Sequence, residues 1–362
     1  KNLYLILFFL ILNGCSSNIY DRLEDTVLTD NTFIVNDTIV KRNPVKLLID
    51  PPTPSNKFLG YPIGLYIYNF SSDNAHEKFD LWLNKKPNRY NRLSKILSEK
   101  QVKQLKKYNN LFNEFLKSLG QKPFKLSDTD VNKNISRLKQ FYNNEGYFDS
   151  KVSVDTIIEG KKANLQYRVE TNTRYLIDSI SLKFKSNDID SLYKISKGAS
   201  LIKKDEYFSI NKLLLERDRL ISLFKNNGIH DFQQRSINFN VLIDSTSNKK
   251  KIPLILTINN KNEESEYSIK SINDLKIYVE SSNELSNISS YTDSIDYNRF
   301  KIYSKGNLNY SPRSLTEPIF IKQSQKYVEN DKLLTSRYFS NLGAFKYPRI
   351  IINEKNDSLD TS

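Results

Sequence analysis

The chain has 362 residues, 38% hydrophobic and 12% aromatic, with 22 tyrosines and 20 phenylalanines. Large core formers are therefore abundant, which excludes a disordered chain and leaves room for two to four domains. The net charge of +14 is mostly lysine in an Asn- and Ile-rich background, the composition an AT-rich coding sequence produces, so the charge alone does not imply a nucleic-acid ligand.

KNLYLILFFLILNGCSS opens the chain with a lysine and an apolar run from Leu3 to Leu12. Ten residues of helix reach about 15 Å, against a bilayer core of about 30 Å. The run is too short to span and fits the apolar region of a signal peptide over 1–14. Gly14 followed by Cys15 resembles the bacterial lipobox. That resemblance implies that Cys15 is acylated, palmitate included, and begins the mature chain; an ordinary signal peptide with a chance cysteine is the alternative. Cys15 is the only cysteine, so no disulfide forms within the chain.

TVLTDNTFIVND reads as a first strand, followed by a large helical insertion near 51–125. Within it, Lys95 to Lys125 carries eight lysines and two glutamates. Val102, Leu105, Tyr108, Phe112, Phe115 and Leu119 form an apolar stripe of an amphipathic helix. The expectation is a core-facing stripe under a solvated lysine face; docking onto anionic lipid head groups is the alternative. A helix with Asp130 as N-cap then ends at Gly146, and FYNNEGYF leads into an alternating strand at Val152 and Val154 and a second strand, ANLQYRVE.

The same order recurs. DSISLKFKS is a strand; a helix capped by Ser209 ends at Gly228; Ile237, Phe239, Val241 and Ile243 alternate; IPLILTIN closes the unit. YSIKSINDLKIYV is the strand before a third helix that ends at Gly343, and RIIIN from Arg349 begins another strand. Gly146, Gly228 and Gly343 each suit the left-handed position that ends a helix. The spacing is too wide for a solenoid and describes a string of small α+β units.

Strand-helix-helix-strand-strand, with the GYF sequence before the second strand, resembles the POTRA domain. POTRA domains form the periplasmic part of the BamA/TamA outer-membrane assembly superfamily. With the lipobox, KFLGYPIGLYIYNF and LGQKPFKLSDTD, the chain resembles the TamL-like lipoproteins of that superfamily. The resemblance implies tandem POTRA domains, each with two helices on a three-stranded mixed sheet: 15–171 with the insertion, 172–261, and an incomplete last one over 262–362. The family's β-barrel would follow and is not within these residues. The resemblance also implies a TamB-like envelope-spanning partner, unfolded outer-membrane barrel clients, and an outer-membrane location with the soluble domains facing the periplasm.

No HExxH, GxSxG or phosphate loop occurs, and His76 and His230 are the only histidines. His230 reads as a turn residue, and the chain reads as neither an enzyme nor a holder of metal or cofactor. What remains is strand addition. The resemblance leaves the second strand of each unit at a sheet edge: Lys151, Val152, Ser153, Val154, Asp155 and Thr156 in the first, and Ile237, Asn238, Phe239, Asn240 and Val241 in the second. Such an edge either accepts a foreign extended chain or packs on a neighbouring domain. The rival functions are a surface glycan-binding lipoprotein, for which Trp82 is the only tryptophan, and a basic nucleic-acid binder, against which the export signal argues.

Overall fold

The structure is a computed structural model and describes residues 20, 25–40, 44–51, 57–58, 61–86, 88–243, 250–262, 265–280, 291–343, 345 and 348–354. The signal segment 1–14 and Cys15 lie outside the described residues. The chain divides into two compact units, Lys1–Arg174 and Tyr175–Ser362.

In the first unit, β1 (Val27–Val35) turns through Asn36 and Asp37, both at positive φ, into β2 (Thr38–Ile39). A small hairpin of β3 (Lys57–Phe58) and β4 (Tyr61–Pro62) follows. The insertion continues with α1 (Ile63–Phe70), α2 (Ala75–Asn84), α3 (Arg89–Ile96) and the long α4 (Glu99–Leu119). Ser98 and Gln101 form a capping box that starts α4. Then come α5 (Val131–Asn144), β5 (Lys151–Glu159) and β6 (Lys162–Glu170). Asp130 caps α5 by accepting from the Lys133 N–H at 2.9 Å.

The sheet order is β2-β1-β6-β5. β6 is central, parallel to β1 and antiparallel to β5. It holds that place because Ala163, Leu165, Tyr167 and Val169 alternate and are all buried. Leu138 of α5, Leu28 and Phe33 pack on them, and Phe33 stacks on Tyr167 at 5.3 Å between centroids. Inside this core Asn134 is buried and fully used. Its amide donates to the Tyr167 hydroxyl at 3.0 Å and to the Asp50 carbonyl at 2.9 Å, and its oxygen accepts from the Asp50 N–H at 3.2 Å. Burial raises the Tyr167 pKa, although the Asn134 hydrogen bond opposes the rise.

The second unit begins with β7 (Leu176–Phe184), α6 (Asn187–Ser196), α7 (Ile210–Asn226), β8 (Ile237–Val241) and β9 (Lys251–Ile258). Its sheet, β7-β9-β8, repeats the pairing: β9 is central, parallel to β7 and antiparallel to β8. Ile252, Leu254, Leu256 and Ile258 are its buried rungs. β1 and β7 even carry a register irregularity at the same place, between Leu28 and Asp30 and between Ile177 and Ser179. Between α6 and α7, fully buried Glu216 accepts from the Leu201 N–H and the Ser200 hydroxyl, both at 2.9 Å, and pairs with Arg219 at 2.7 Å.

The remainder comprises β10 (Leu275–Val279), β11 (Asp293–Tyr297), β12 (Phe300–Ser304), α8 (Pro312–Thr316) and α9 (Glu329–Asn341). Their sheet, β10-β12-β11, has the same order and pairing sense again.

Five expectations are corrected. Ser209 precedes α7 but makes no side-chain cap bond. The second-unit edge strand stops at Val241 rather than reaching Ile243. Only Leu275–Val279 of the run Tyr267–Val279 is strand; its earlier part is held by other contacts, described below. In the third sheet the central strand comes from a hairpin upstream of α8 and α9, because Phe300 and Ile302 supply buried rungs, whereas the run from Arg349 forms no strand among the described residues and Ile351 is exposed. Finally, the stripe of α4 faces outward: of its expected core residues only Val102 is buried.

The network at Asn134 gives a test. Asn134→Ala leaves the Tyr167 hydroxyl and both Asp50 backbone groups without this partner, at a cost of about 2–4 kcal/mol. Urea unfolding should show a lower midpoint of that order with a native-like circular dichroism spectrum before the transition.

Candidate functional site

A mixed sheet with a buried central strand has two borders, and the chain treats them differently. On the first-strand side, the residues ahead of each unit's second helix fold back and pair. Leu28 N–H donates to the Phe124 carbonyl at 2.8 Å, and Leu126 N–H donates to the Thr26 carbonyl at 2.9 Å. Ile177 N–H donates to Glu206 and Asp205 N–H donates to Ile177, at 2.9 and 2.8 Å. Ile272 N–H donates to Gln325 and Ser324 N–H to Ile272, at 2.9 and 2.7 Å. Charges reinforce two of these seals. Lys125 holds the Asp25 pKa down through its hydrogen bond, and Lys251 does the same for Asp205.

The opposite border is open. β5 pairs with β6 along its whole length, from Lys151↔Glu170 to Glu159↔Lys162, without a bulge. Its other side pairs with no strand among the described residues. Val152 and Val154 lean into the core while Lys151, Ser153 and Asp155 are exposed, and Asp155 pairs with Arg168 at 2.7 Å. From Thr156 onward every residue is exposed, including Ile157 and Ile158, the latter at 55%. Nine residues without proline or bulge offer the backbone donors and acceptors that an added strand needs. The sequence reading stopped at Thr156; the break in alternation at Ile157-Ile158 was the available signal for the rest.

β8 is the corresponding border of the second sheet and spans Ile237, Asn238, Phe239, Asn240 and Val241. It differs in chemistry. Ile237 is buried, Asn238 and Phe239 are half-buried, and Asn240 is exposed. A groove lined by Arg217, Gln233, Gln234, Arg235, Ile237 and Asn238 runs beside its start. The Arg217 guanidinium lies 5.8 Å from the Phe239 ring centroid, and its buried Nε has no hydrogen-bond partner among the described residues. β8 is therefore polar and cationic at its flank, where β5 is apolar at its end.

The three glycines end helices at positive φ: Gly146 at 90°, Gly228 at 103° and Gly343 at 65°. At the first, Tyr147 N–H reaches the Tyr142 carbonyl at 2.9 Å; at the second, Ile229 N–H reaches Phe224 at 3.1 Å, the bonding of a Schellman end. Gly228 does more. Its carbonyl accepts from the Lys270 N–H at 2.9 Å, and a Cβ there would lie 2.6 Å from Ile269 Cγ2. The same segment is tied again where the Tyr267 carbonyl accepts from Ser186 at 2.6 Å and the Ile269 N–H donates to Asp188 at 2.8 Å. This is what holds the run ahead of β10 that the sequence presented as strand. His230 lies just past this glycine, its Nε2 3.6 Å from Glu354 and its ring edge-on to Tyr327.

Among the described residues no group of three His, Cys, Asp or Glu side chains could hold a metal ion, and no helix is long and apolar enough to cross a membrane. Trp82 has one ring face occupied by Arg89, at 4.7 Å from the centroid.

Residues 112–172, from the second half of α4 through β6, match the POTRA family model, described as surface antigen variable number repeat. No curated protein matches this sequence. Among solved structures, the chain is similar to BamA POTRA3-5 of Haemophilus influenzae, at 12% identity and a TM-score of 0.32, covering 66% of this chain and 80% of that one. It is also similar to POTRA1-3 of the periplasmic domain of Omp85 from Anabaena, at 9% identity and a TM-score of 0.22, covering 66% and 79%. BamA from Haemophilus ducreyi lacking POTRA domains 1-3 gives 15% identity and a TM-score of 0.25, covering 39% and 25%. The α+β architecture rests on the strand orders themselves.

The glycines separate two kinds of requirement. Among the described residues Gly343 has nothing within 4 Å of an added Cβ, so Gly343→Ala should cost only the left-handed strain of about 1–2 kcal/mol. Gly228→Ala adds overpacking against Ile269, for a total of about 2–4 kcal/mol. Denaturation of the two variants side by side checks the difference.

Proposed function

We propose that this chain is the POTRA-bearing part of a TamL-like lipoprotein of the BamA/TamA superfamily that assists assembly or translocation of outer-membrane and surface proteins. In this reading Cys15 carries the lipid that holds the chain at the outer membrane, and the folded units face the periplasm. The first POTRA domain covers 15–171 with its helical insertion, the second 172–261, and the last 262–362. The clients are unfolded outer-membrane barrel chains, and a TamB-like protein is the envelope-spanning partner. The single observation that carries the mechanism is β5, a nine-residue border strand with one side unpaired among the described residues.

The energetics suit a handler of many clients. Each main-chain hydrogen bond contributes about 0.5–1.5 kcal/mol net, while ordering each client residue costs about 1–2 kcal/mol. The two nearly cancel, so a client held by backbone alone binds weakly and leaves readily. Apolar client side chains against Ile157 and Ile158 add affinity without demanding a particular sequence, since a fully buried isoleucine contributes about 1.5–3 kcal/mol. Polar β8, with Arg217 and Arg235 beside it, selects differently from β5.

The test is photocrosslinking in cells with p-benzoylphenylalanine in place of Ser153 or Asn240, and in place of Asn132 on exposed α5 surface as the control. Barrel precursors should be captured from 153 or 240 and not from 132, and Ile157→Asp with Ile158→Asp should reduce capture at 153 severalfold. Capture at neither border position removes the strand-addition mechanism.

A further inference from the structure

The outward face of α4 has a chemistry of its own. Tyr108, Phe112, Phe115 and Leu119 recur along one side of the helix and are exposed by 64%, 60%, 55% and 52%. Leu111 stands beside them at 54%. The helix is held by its opposite side, where Val102 is buried and Asn113 clasps the Ser72 backbone through two hydrogen bonds of 2.7 Å. More than half of each of these side chains is left open to solvent. Along the flank next to Leu111 run Lys100, Lys103 and Lys107, exposed and without an ion pair among the described residues, with Glu114 as the one acid among them. Lys106 and Lys117, by contrast, are paired with Asp80 and Asp73 on the protein side.

Tyr20 fixes where this face lies relative to the start of the chain. It is buried against Leu65 of α1 and borders the same small cavity as Gln121, Lys122, Pro123 and Phe124, the residues that follow α4. Gln121 N–H also donates to the Gly64 carbonyl at 2.8 Å. From Tyr20 back to Cys15 is five residues, at most about 18 Å of extended chain. On the reading that Cys15 carries the lipid, the C-terminal end of α4 is thus tied within a short span to the anchored residue.

We propose that the face of α4 formed by Tyr108, Leu111, Phe112, Phe115 and Leu119 lies on an anionic phospholipid leaflet, with Lys100, Lys103 and Lys107 reaching the head groups. The aromatic residues are suited to the depth where acyl chains meet head groups, and each lysine near an anionic surface adds about fivefold to partitioning. A second copy of the chain fits less well, because pairing two such faces brings together cationic flanks in a protein of net charge +14. The proposal rests on the anchored reading only for the nearness of the leaflet.

The experiment uses the mature chain from residue 15 with Cys15→Ser and Phe112→Cys, labelled at 112 with an environment-sensitive fluorophore. It is mixed with vesicles of phosphatidylethanolamine and phosphatidylglycerol, with and without nitroxide-labelled lipid. The expected result is a blue shift and nitroxide quenching at 112, no shift for the same label at Ser153→Cys, and quenching cut about fivefold or more by Lys100→Glu, Lys103→Glu and Lys107→Glu together. Circular dichroism confirms that the variants are folded. Flotation with an unshifted probe at 112 overturns the proposal and leaves the acyl-anchor reading intact, because Cys15→Ser has already removed acylation. A chain that does not float overturns it as well. A concentration-dependent blue shift without vesicles overturns it in favour of a second copy.

Discussion

The interaction on which everything else depends is the double pairing of the central strand. β6, β9 and β12 each run parallel to one neighbour and antiparallel to the other. Each also turns buried rungs to one face. Such a strand satisfies all its own backbone groups and leaves each neighbour with one unsatisfied side. The chain closes the start of the parallel neighbour with its own segments at Phe124–Leu126 and Asp205–Phe208. Nothing comparable closes the antiparallel neighbour among the described residues. The open borders at β5 and β8 follow from an asymmetry in how the chain returns on itself, rather than from any special residue at the border.

Some of this was legible in the sequence. Ala163, Leu165, Tyr167 and Val169 alternate as a strand with one buried face must, and Ile252 to Ile258 do the same. Asp130 and the helix-ending glycines act locally, so the sequence around them suffices. Hydrogen-bond partners between distant segments are different. Alternation says which face of a strand is buried and nothing about which neighbour it pairs with. That is why the self-made seals emerge only in three dimensions. In the third sheet the central place goes to Phe300–Ser304, which precedes the helices. The short β11–β12 turn through Asn298 and Arg299 gives these rungs a nearby partner, an advantage the run at Arg349 lacks.

α4 shows the limit of periodicity from the other side. An apolar stripe at helical spacing looks the same whether it faces a core or nothing at all. What decides is which side the surrounding segments can reach. Here they reach it through Val102, Asn113 and the paired lysines Lys106 and Lys117. The lysines without an ion pair among the described residues then lie beside the aromatics, and the sign of the field around the stripe becomes part of its chemistry.

The stitch from Lys270 N–H to the Gly228 carbonyl has a mechanical consequence. With Ser186 gripping Tyr267 and Asp188 gripping Ile269 as well, the peptide that leads from the second sheet into the third is laid down as part of the second sheet's own body. A pull on β10 is transmitted to the end of α7 instead of being absorbed by slack chain. The second and third sheets are therefore joined by a pinned segment rather than a free linker, and a displacement of one is passed to the other through these three bonds.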